Sequence, residues 1–200
     1  MAGPTPLLYG SILFLVIVVG FIVAGNATVL LQHGFGVSTT RIGVWRTCEA
    51  QPTGDDKCYS VTSNSQCSEL SSRMKAIGAF GVIGVVSTLL TIAAFFFEGR
   101  GMDFPVTHLT KIIFSWSLLM MVICVSISIG TLVAKLCSDP VPMTDRNGSF
   151  GPAFYFFFSA AVLQIIAGAV YALFKVKRDA APAEADSDDD DDKKAAFNDL

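Results

Sequence analysis

The stretch GVWRTCEAQPTGDDKC, from Gly43 to Cys58, holds two of the five cysteines and one of the two tryptophans of this 200-residue chain. On either side of QPTGDD, β-branched and aromatic residues mix with polar ones, a pattern typical of strands with one packed face and one solvated face. Pro52 and Gly54 favour a turn between them, because proline fixes φ and glycine permits unusual φ values. The pattern predicts a β-hairpin that places Cys48 opposite Cys58, at a separation compatible with a disulfide.

The two cysteines of this hairpin are candidates for a catalytic site, a metal site or a structural bridge. Zinc sites usually combine closely spaced C-x2–4-C pairs or add histidines as ligands. The two histidines, His33 and His108, lie in different connections of the chain. The spacing therefore favours a Cys48–Cys58 disulfide over a metal site.

Outside this segment, long apolar runs dominate the chain. The sequence is 52% hydrophobic and only 16% charged, whereas a soluble domain carries about a quarter charged residues. Four runs contain no Asp, Glu, Lys or Arg, and each exceeds the ~20 residues that cross a bilayer core as a helix. We therefore expect transmembrane helices over residues 7–31, 76–97, 112–134 and 152–174.

The first run has an alternative interpretation as a secretory signal with cleavage after Gly25. No basic segment precedes it, and the run from Leu7 exceeds the usual ~7–15 residues of a signal sequence. The pattern favours a retained helix.

Two polar connections, residues 32–75 and 135–151, share one side of a four-span protein. Lysines and arginines do not decide which side this is, because they flank the spans on both faces. The two connections hold four of the five cysteines, Cys48, Cys58, Cys67 and Cys137. This placement indicates an oxidising compartment, as does the glycosylation sequon at Asn147. We therefore expect outer loops, cytoplasmic termini and a multi-pass protein of the plasma membrane.

Three outer-loop residues have open alternatives. Cys67 and Cys137 flank the second and third spans, where they form a second bridge or remain two unpaired thiols. Trp45 is an anchor at the membrane interface or the hydrophobic plug of the small sheet. In both cases its role is structural.

Within the predicted spans, one amide side chain and one set of regularly spaced glycines are informative. Gln164 is suited to a hydrogen bond across helices rather than to a functional polar site, and Gly78, Gly81 and Gly84 favour close packing within the bundle over dimerisation. No span contains Asp, Glu, Lys, Arg or His, so the bundle lacks residues for a proton relay or ion pathway. The sequence supplies no catalytic set, cofactor motif or metal constellation, and we expect neither an enzyme nor a nucleic-acid-binding protein.

The predicted organisation is a membrane domain over residues 1–178 followed by an acidic tail over residues 179–200. The tail contains EADSDDDDDKK, a composition typical of a solvated, disordered segment. Binding of a cytoplasmic adaptor through this tail is the alternative role.

The order Gly43-Val44-Trp45, two residues, Cys48, nine residues, Cys58 resembles the G-L-W-x2-C-x8-10-C signature of the claudin superfamily. That superfamily includes peripheral myelin proteins, epithelial membrane proteins and γ subunits of calcium channels. A second region, DPVPMTDRNGSFGPAFYFFFSAAVLQIIAGAV, is similar to the claudin run of N-P-x-V-P, G-x-x-x-Y and A-A-x-L-Q-L-L-x-G-A. Arg73 precedes the second span, where the family usually has an arginine.

Departures from the claudin pattern indicate a divergent member. The first loop lacks an earlier tryptophan, and no cysteine follows the second or fourth span as a palmitoylation site. The extra outer cysteines are not typical of claudins, and Asn198 makes the C-terminus a poor PDZ ligand.

The resemblance implies a claudin-like fold: an all-α membrane protein with a four-helix bundle and a small extracellular antiparallel β-sheet formed from both outer loops. It implies cell–cell adhesion or a paracellular barrier at cell junctions, through homo-oligomers or related tetraspan partners in cis and in trans among membrane lipids. The alternative is an auxiliary subunit that modulates a channel pore subunit or another membrane complex. Asp55, Asp56 and Lys57, near the hairpin tip, would face a partner or passing ions, or form only a solvated turn.

Overall fold

The computed structural model describes residues 6–35, 38–50, 57–61, 68–100, 106–133 and 148–197. Four helices alternate with strands along the chain. The helices are α1 (Pro6–Ala27), α2 (Ser68–Gly99), α3 (Val106–Val133) and α4 (Pro152–Phe197). The strands are β1 (Val29–Phe35), β2 (Ser38–Gly43), β3 (Arg46–Ala50), β4 (Lys57–Ser60) and β5 (Ser149–Phe150).

Each of the four helices has a segment long and apolar enough to cross a membrane. These segments are Pro6–Ala27, Ser68–Gly99, Thr110–Val133 and Pro152–Val176. Large apolar side chains cover their outer surface; Leu13 and Val176, for example, are 62% and 68% exposed. The four-span prediction is confirmed, and these exposed side chains form the surface that meets lipid.

The helix ends differ from the predicted limits of the spans. Helix α1 ends at Ala27, and Val29 already belongs to β1. The predicted span extended to residue 31 because a run without charges does not distinguish a helix from a buried strand. Helix α2 begins at Ser68, eight residues before the predicted span. A Glu69–Arg73 ion pair at (i, i+4) spacing supports this polar first part of α2.

Helix α4 continues through the acidic segment for which we expected disorder, and it ends at Phe197. The segment after Gly168 contains no further glycine. Its alanines and lysines are good helix formers, whereas Pro182 and the run of aspartates disfavour a helix. In the described part of the tail, as far as Phe197, the backbone is helical.

The strands form one antiparallel sheet in the order β4-β3-β2-β1-β5. Strand β5 comes from the second outer connection, and its Phe150 pairs with Leu31 of β1. Both connections therefore contribute to one sheet, as predicted. Because β1 follows α1 and β5 precedes α4, the sheet lies at one end of the bundle, here called the sheet side; the other end is called the tail side.

The stretch from Gly43 to Cys58 contains a turn that the sequence pattern did not predict. Strands β2 and β3 form a hairpin of their own, with Val44 and Trp45 between them, where we expected a single strand. At Gly43, an added Cβ would lie 3.1 Å from the carbonyl oxygen of Arg46 and 3.2 Å from that of Thr28. Glycine at this position thus permits the close approach of the hairpin to the end of α1.

The sheet and the bundle share one hydrophobic core. Sheet residues such as Leu31, Ile42 and Val44 are buried together with Ile77 of α2 and Phe157 of α4. Two hydrogen bonds tie the elements together: the Gly151 amide donates to the Leu30 carbonyl (2.7 Å), and the Ser71 hydroxyl donates to the Val61 carbonyl (3.0 Å).

Helix α2 presents its three spaced glycines to three different elements. The contacts are Trp45 on Gly78, Asn26 of α1 on Gly81 and Met121 of α3 on Gly84. Small residues let elements approach closely where lipid provides no hydrophobic driving force between helices. The glycine stripe therefore packs within the bundle, as expected.

A chain of hydrogen bonds joins three helices inside the bundle. The Gln164 amide of α4 donates to the Ser117 hydroxyl of α3 at 2.6 Å, and that hydroxyl lies 2.8 Å from the Thr88 hydroxyl of α2. Thr88 donates to the carbonyl of Gly84 at 2.7 Å. The prediction that Gln164 bonds across helices is confirmed.

Candidate interaction surface

Strand β4 forms one edge of the sheet and carries the most exposed part of the described loops. All four of its residues, Lys57 to Ser60, are exposed, and β3 is its single neighbour in the sheet order. An edge strand presents backbone N–H and C=O groups that can pair with another chain. We call β3 and β4 together the sheet edge.

A disulfide joins the two strands of the sheet edge. Cys48 and Cys58 are directly paired across β3 and β4, with Cα atoms 4.1 Å apart, and their sulfurs are bonded. This is the pairing that the sequence predicted. Closing a loop of this length stabilises a fold by about 3 kcal/mol in the chain-entropy model, which is substantial for a strand as short as β4.

Trp45 packs against the bundle but is not the buried plug of the sheet, and its role as an anchor at the membrane interface stays a prediction. Its ring lies over α2, 2.9 Å from the position that a Cβ on Gly78 would take, yet the residue is 50% exposed. The neighbouring Val44 is only 1% exposed and plugs the core. Trp45 therefore covers the end of α2 with one face and displays the other.

A groove of about 410 Å³ runs beside Trp45, between the hairpin, the sheet edge and the start of α2; we call it the Trp45 groove. Its lining includes Trp45, Arg46, Tyr59, Val61 and Lys75. Tyr59, which sequence reasoning did not single out, is 49% exposed. Two half-exposed aromatic rings with flanking cations resemble the composition of protein-interface anchors.

The charges near the sheet edge are mostly basic in the described part of the chain. Arg46, Lys57 and Lys75 are exposed, and Glu49 adds one exposed carboxylate. This arrangement favours an acidic or aromatic partner surface. Asp55 and Asp56, predicted at the hairpin tip, lie outside the described residues.

Arg73 lies on the first turns of α2, away from the sheet edge. Its guanidinium bonds to Glu69 at 2.9 Å, and it also lies 3.8 Å from the position of a Cβ on Gly130 of α3. Its contacts are therefore with its own helix and the end of α3, so the structure associates it with the bundle rather than with the display surface.

Several predicted site residues are outside the described ranges. The possible Cys67–Cys137 bridge and the sequon at Asn147 remain predictions. Within the described ranges, no three His, Cys, Asp or Glu residues are grouped as metal ligands, and the single free cysteine is Cys124, buried in α3.

Sequence reasoning did not identify the exposed Tyr59 or the crowded Gly151. The exposure of Tyr59 follows from the position of β4 at the sheet edge, and strand order is not visible in a single sequence. Gly151 has no room for a Cβ because the Val29 carbonyl occupies that space. The adjacent Pro152, a residue typical of the first helical position, is a signal that could have located this junction.

Comparison with known proteins agrees with the geometry. A search of curated proteins finds no match. The family model described as PMP-22/EMP/MP20/Claudin family matches residues 5–171, which include the first three spans, most of the fourth and the whole sheet. Since this match covers most of the chain, and since its four spans carry a disulfide-bonded sheet built from both connections, the chain belongs to the PMP-22/EMP/MP20/Claudin family.

Proposed function

We propose that this chain acts in cell–cell adhesion and barrier formation at the plasma membrane, through self-association of its sheets. In this proposal both termini are cytoplasmic and the sheet faces the outside. The observation that carries it is the sheet edge: an exposed strand held by a disulfide beside two half-exposed aromatic residues, Trp45 and Tyr59.

The geometry supports association in two directions. A membrane holds neighbouring copies in one plane, so an edge strand such as β4 can meet the sheet of an adjacent copy by strand addition. The Trp45 groove lies beside that edge and offers room for a side chain of the neighbour. A surface that projects from the bilayer is also available to a copy in the opposing membrane.

The preformed geometry reduces the cost of association. A flexible loop would lose conformational entropy when it binds. The Cys48–Cys58 bridge and the burial of Val44 and Val61 already fix both ends of the sheet edge. This rigidity favours repeated, identical contacts, as a polymer of copies requires.

The test is expression in cells that lack junctional strands, followed by freeze-fracture microscopy and cell-aggregation assays. We expect strand-like polymers for the wild type and their loss for Tyr59→Ala. Tyr9→Ala is the matched control, because Tyr9 is exposed to a similar extent (55% against 49%) but lies near the tail side of α1. Surface biotinylation verifies equal delivery of the variants.

The alternative role, an auxiliary subunit of a channel or another membrane complex, gives a different result. Stoichiometric co-purification with one larger membrane protein, without polymers of this chain, would contradict the adhesion proposal. Polymers that persist in Tyr59→Ala would show that the contact between copies lies outside the sheet edge.

A further inference from the structure

A second groove, of about 550 Å³, opens on the bundle surface between α3 and α4 at the tail side. We call it the lysine groove. Its walls are mainly apolar, and its tail-side end is polar. The apolar wall contains Phe95, Phe114, Leu118, Ile165, Gly168 and Ala172; the polar end contains Thr110, Lys111, Tyr171 and Lys175.

The position of the groove places it within one leaflet of the bilayer. Along α4, the groove extends from Ile165 to Lys175, a rise of about 15 Å. This equals half of the ~30 Å hydrocarbon core. Ile165 and Val176 at its rim are 58% and 68% exposed, so the groove opens toward lipid. An acyl chain lying along it would have its headgroup beside Lys111 and Lys175.

At the polar end of the groove two donors lack a hydrogen bond to any described residue, and one of them, Lys175, has an ion-pair partner in Glu98. The Thr110 hydroxyl and the Lys175 ammonium are buried and have no hydrogen-bond partner in the described part of the chain. Lys175 lies 3.8 Å from a Glu98 carboxylate oxygen, which balances one charge. Lys111 adds a second cation at the rim. An unpaired buried donor destabilises the folded protein, and an anionic oxygen would supply the missing hydrogen-bond acceptor.

From this geometry we infer that the lysine groove binds one anionic phospholipid in the leaflet opposite the sheet. An acyl chain fills the apolar part between α3 and α4, and the phosphate pairs with the exposed Lys111. It accepts further hydrogen bonds from Thr110 and Lys175 when their side chains, whose donor atoms are buried, rotate toward the groove. The small, exposed side chain of Ala172 leaves space for the chain, whereas the Phe114 ring occupies the space beside Gly168. This site is independent of self-association through the sheet edge.

The proposal predicts selectivity for an anionic lipid over a zwitterionic lipid. The full-length protein is delipidated in detergent, titrated with phosphatidylserine or phosphatidylcholine, and analysed by native mass spectrometry. We expect one phosphatidylserine to be retained in preference to phosphatidylcholine. A juxtamembrane lysine contributes about 1 kcal/mol to binding of anionic lipid, equivalent to about five-fold in affinity. Lys111→Gln should therefore weaken retention about five-fold, and Lys111→Gln/Lys175→Gln about 25-fold.

Three further variants keep the test falsifiable if Lys175→Gln disturbs its contact with Glu98. Ala172→Phe should block the apolar part of the groove and abolish retention, and its exposed position favours normal folding. Thr110→Val should weaken retention less than either lysine change. Lys75→Gln, at the sheet side, is the control and should retain the lipid fully.

Three outcomes would overturn the inference. Equal retention of both lipids would remove the role of the anionic headgroup. Unchanged retention in both Lys111→Gln/Lys175→Gln and Ala172→Phe would place the lipid elsewhere. A helix of another membrane protein that occupies the groove and excludes lipid would assign the groove to a protein contact.

Discussion

The sheet and the bundle follow opposite rules of packing. The sheet buries Leu30, Ile42 and Val44 and exposes charged residues, as in a soluble domain. The bundle exposes large apolar side chains, while its interior includes buried hydroxyls such as Thr88 and Ser117. The difference follows from the solvent: burial of apolar surface is favourable against water, but lipid offers little such gain between helices. Close approach and hydrogen bonds therefore matter more in the bundle.

The largest effect is expected when the disulfide of the sheet is removed. Cys48→Ser should lower the free energy of unfolding of the sheet by about 2–5 kcal/mol and impair delivery to the cell surface. Mobility on non-reducing gels and surface biotinylation measure both effects. Cys124→Ser, a change in the bundle interior, should leave gel mobility unchanged. Normal surface levels of Cys48→Ser with unaltered mobility would contradict the bridge.

The junction between sheet and bundle should be the next most sensitive position. A Cβ at Gly151 would collide with the backbone carbonyl of Val29, which cannot move without shifting β1. We expect Gly151→Ala to destabilise the protein by about 3 kcal/mol, measured by thermal unfolding in detergent. Gly20→Ala is the control, because nothing lies within 4 Å of a Cβ at Gly20. Equal melting temperatures for the two variants would refute this account of the junction.

Two glycines of α2, Gly81 and Gly84, differ in the side chain that each contacts: one is held in place and the other is flexible. A Cβ at Gly81 would lie 2.5 Å from the Asn26 amide nitrogen, which is itself held by a hydrogen bond to the Ile22 carbonyl. At Gly84 the neighbour is the flexible end of Met121. Gly81→Ala should therefore cost about 1–2 kcal/mol and Gly84→Ala less. Resistance to unfolding by SDS gives the order, and the reverse order would contradict it.

The smallest effect is expected for the hydrogen bond between helices. Gln164→Leu removes the bond to Ser117, but it also removes a buried amide oxygen that has no partner among the described residues. We expect a loss of about 0.6 kcal/mol, the average for such bonds in membranes. Thermal unfolding beside Ser126→Ala, whose hydroxyl bonds only within α3, checks this value. A loss above that of Gly151→Ala would reverse the ranking.

The sequence predicted the bundle better than its boundaries. Length and absence of charge identify a span, but they do not show that Val29 turns from helix to strand, because both environments accept apolar residues. The hairpin at Val44 and Trp45 escaped prediction since its two residues are not among the usual turn formers. The disulfide was predictable because both cysteines belong to one local hairpin.

The resemblance implied one sheet from both outer loops, but the strand order and the residues that pair between distant segments were not predictable from one sequence. Strand β5 has only two residues, and its pairing with β1 depends on the approach of α4 to α1. The position of β4 at the edge, and hence the exposure of Tyr59, depends on the order of all five strands. The lysine groove likewise depends on how α3 and α4 pack.

The connections between sheet and helices have a mechanical consequence. Thr28 alone separates α1 from β1, and Gly151 alone separates β5 from α4. A one-residue joint leaves little slack, so tension applied to the sheet by a bound partner passes directly into two neighbouring helices. The sheet is therefore stiffly coupled to both helices, and a pull on it would tilt α1 and α4 in the bilayer instead of stretching a linker.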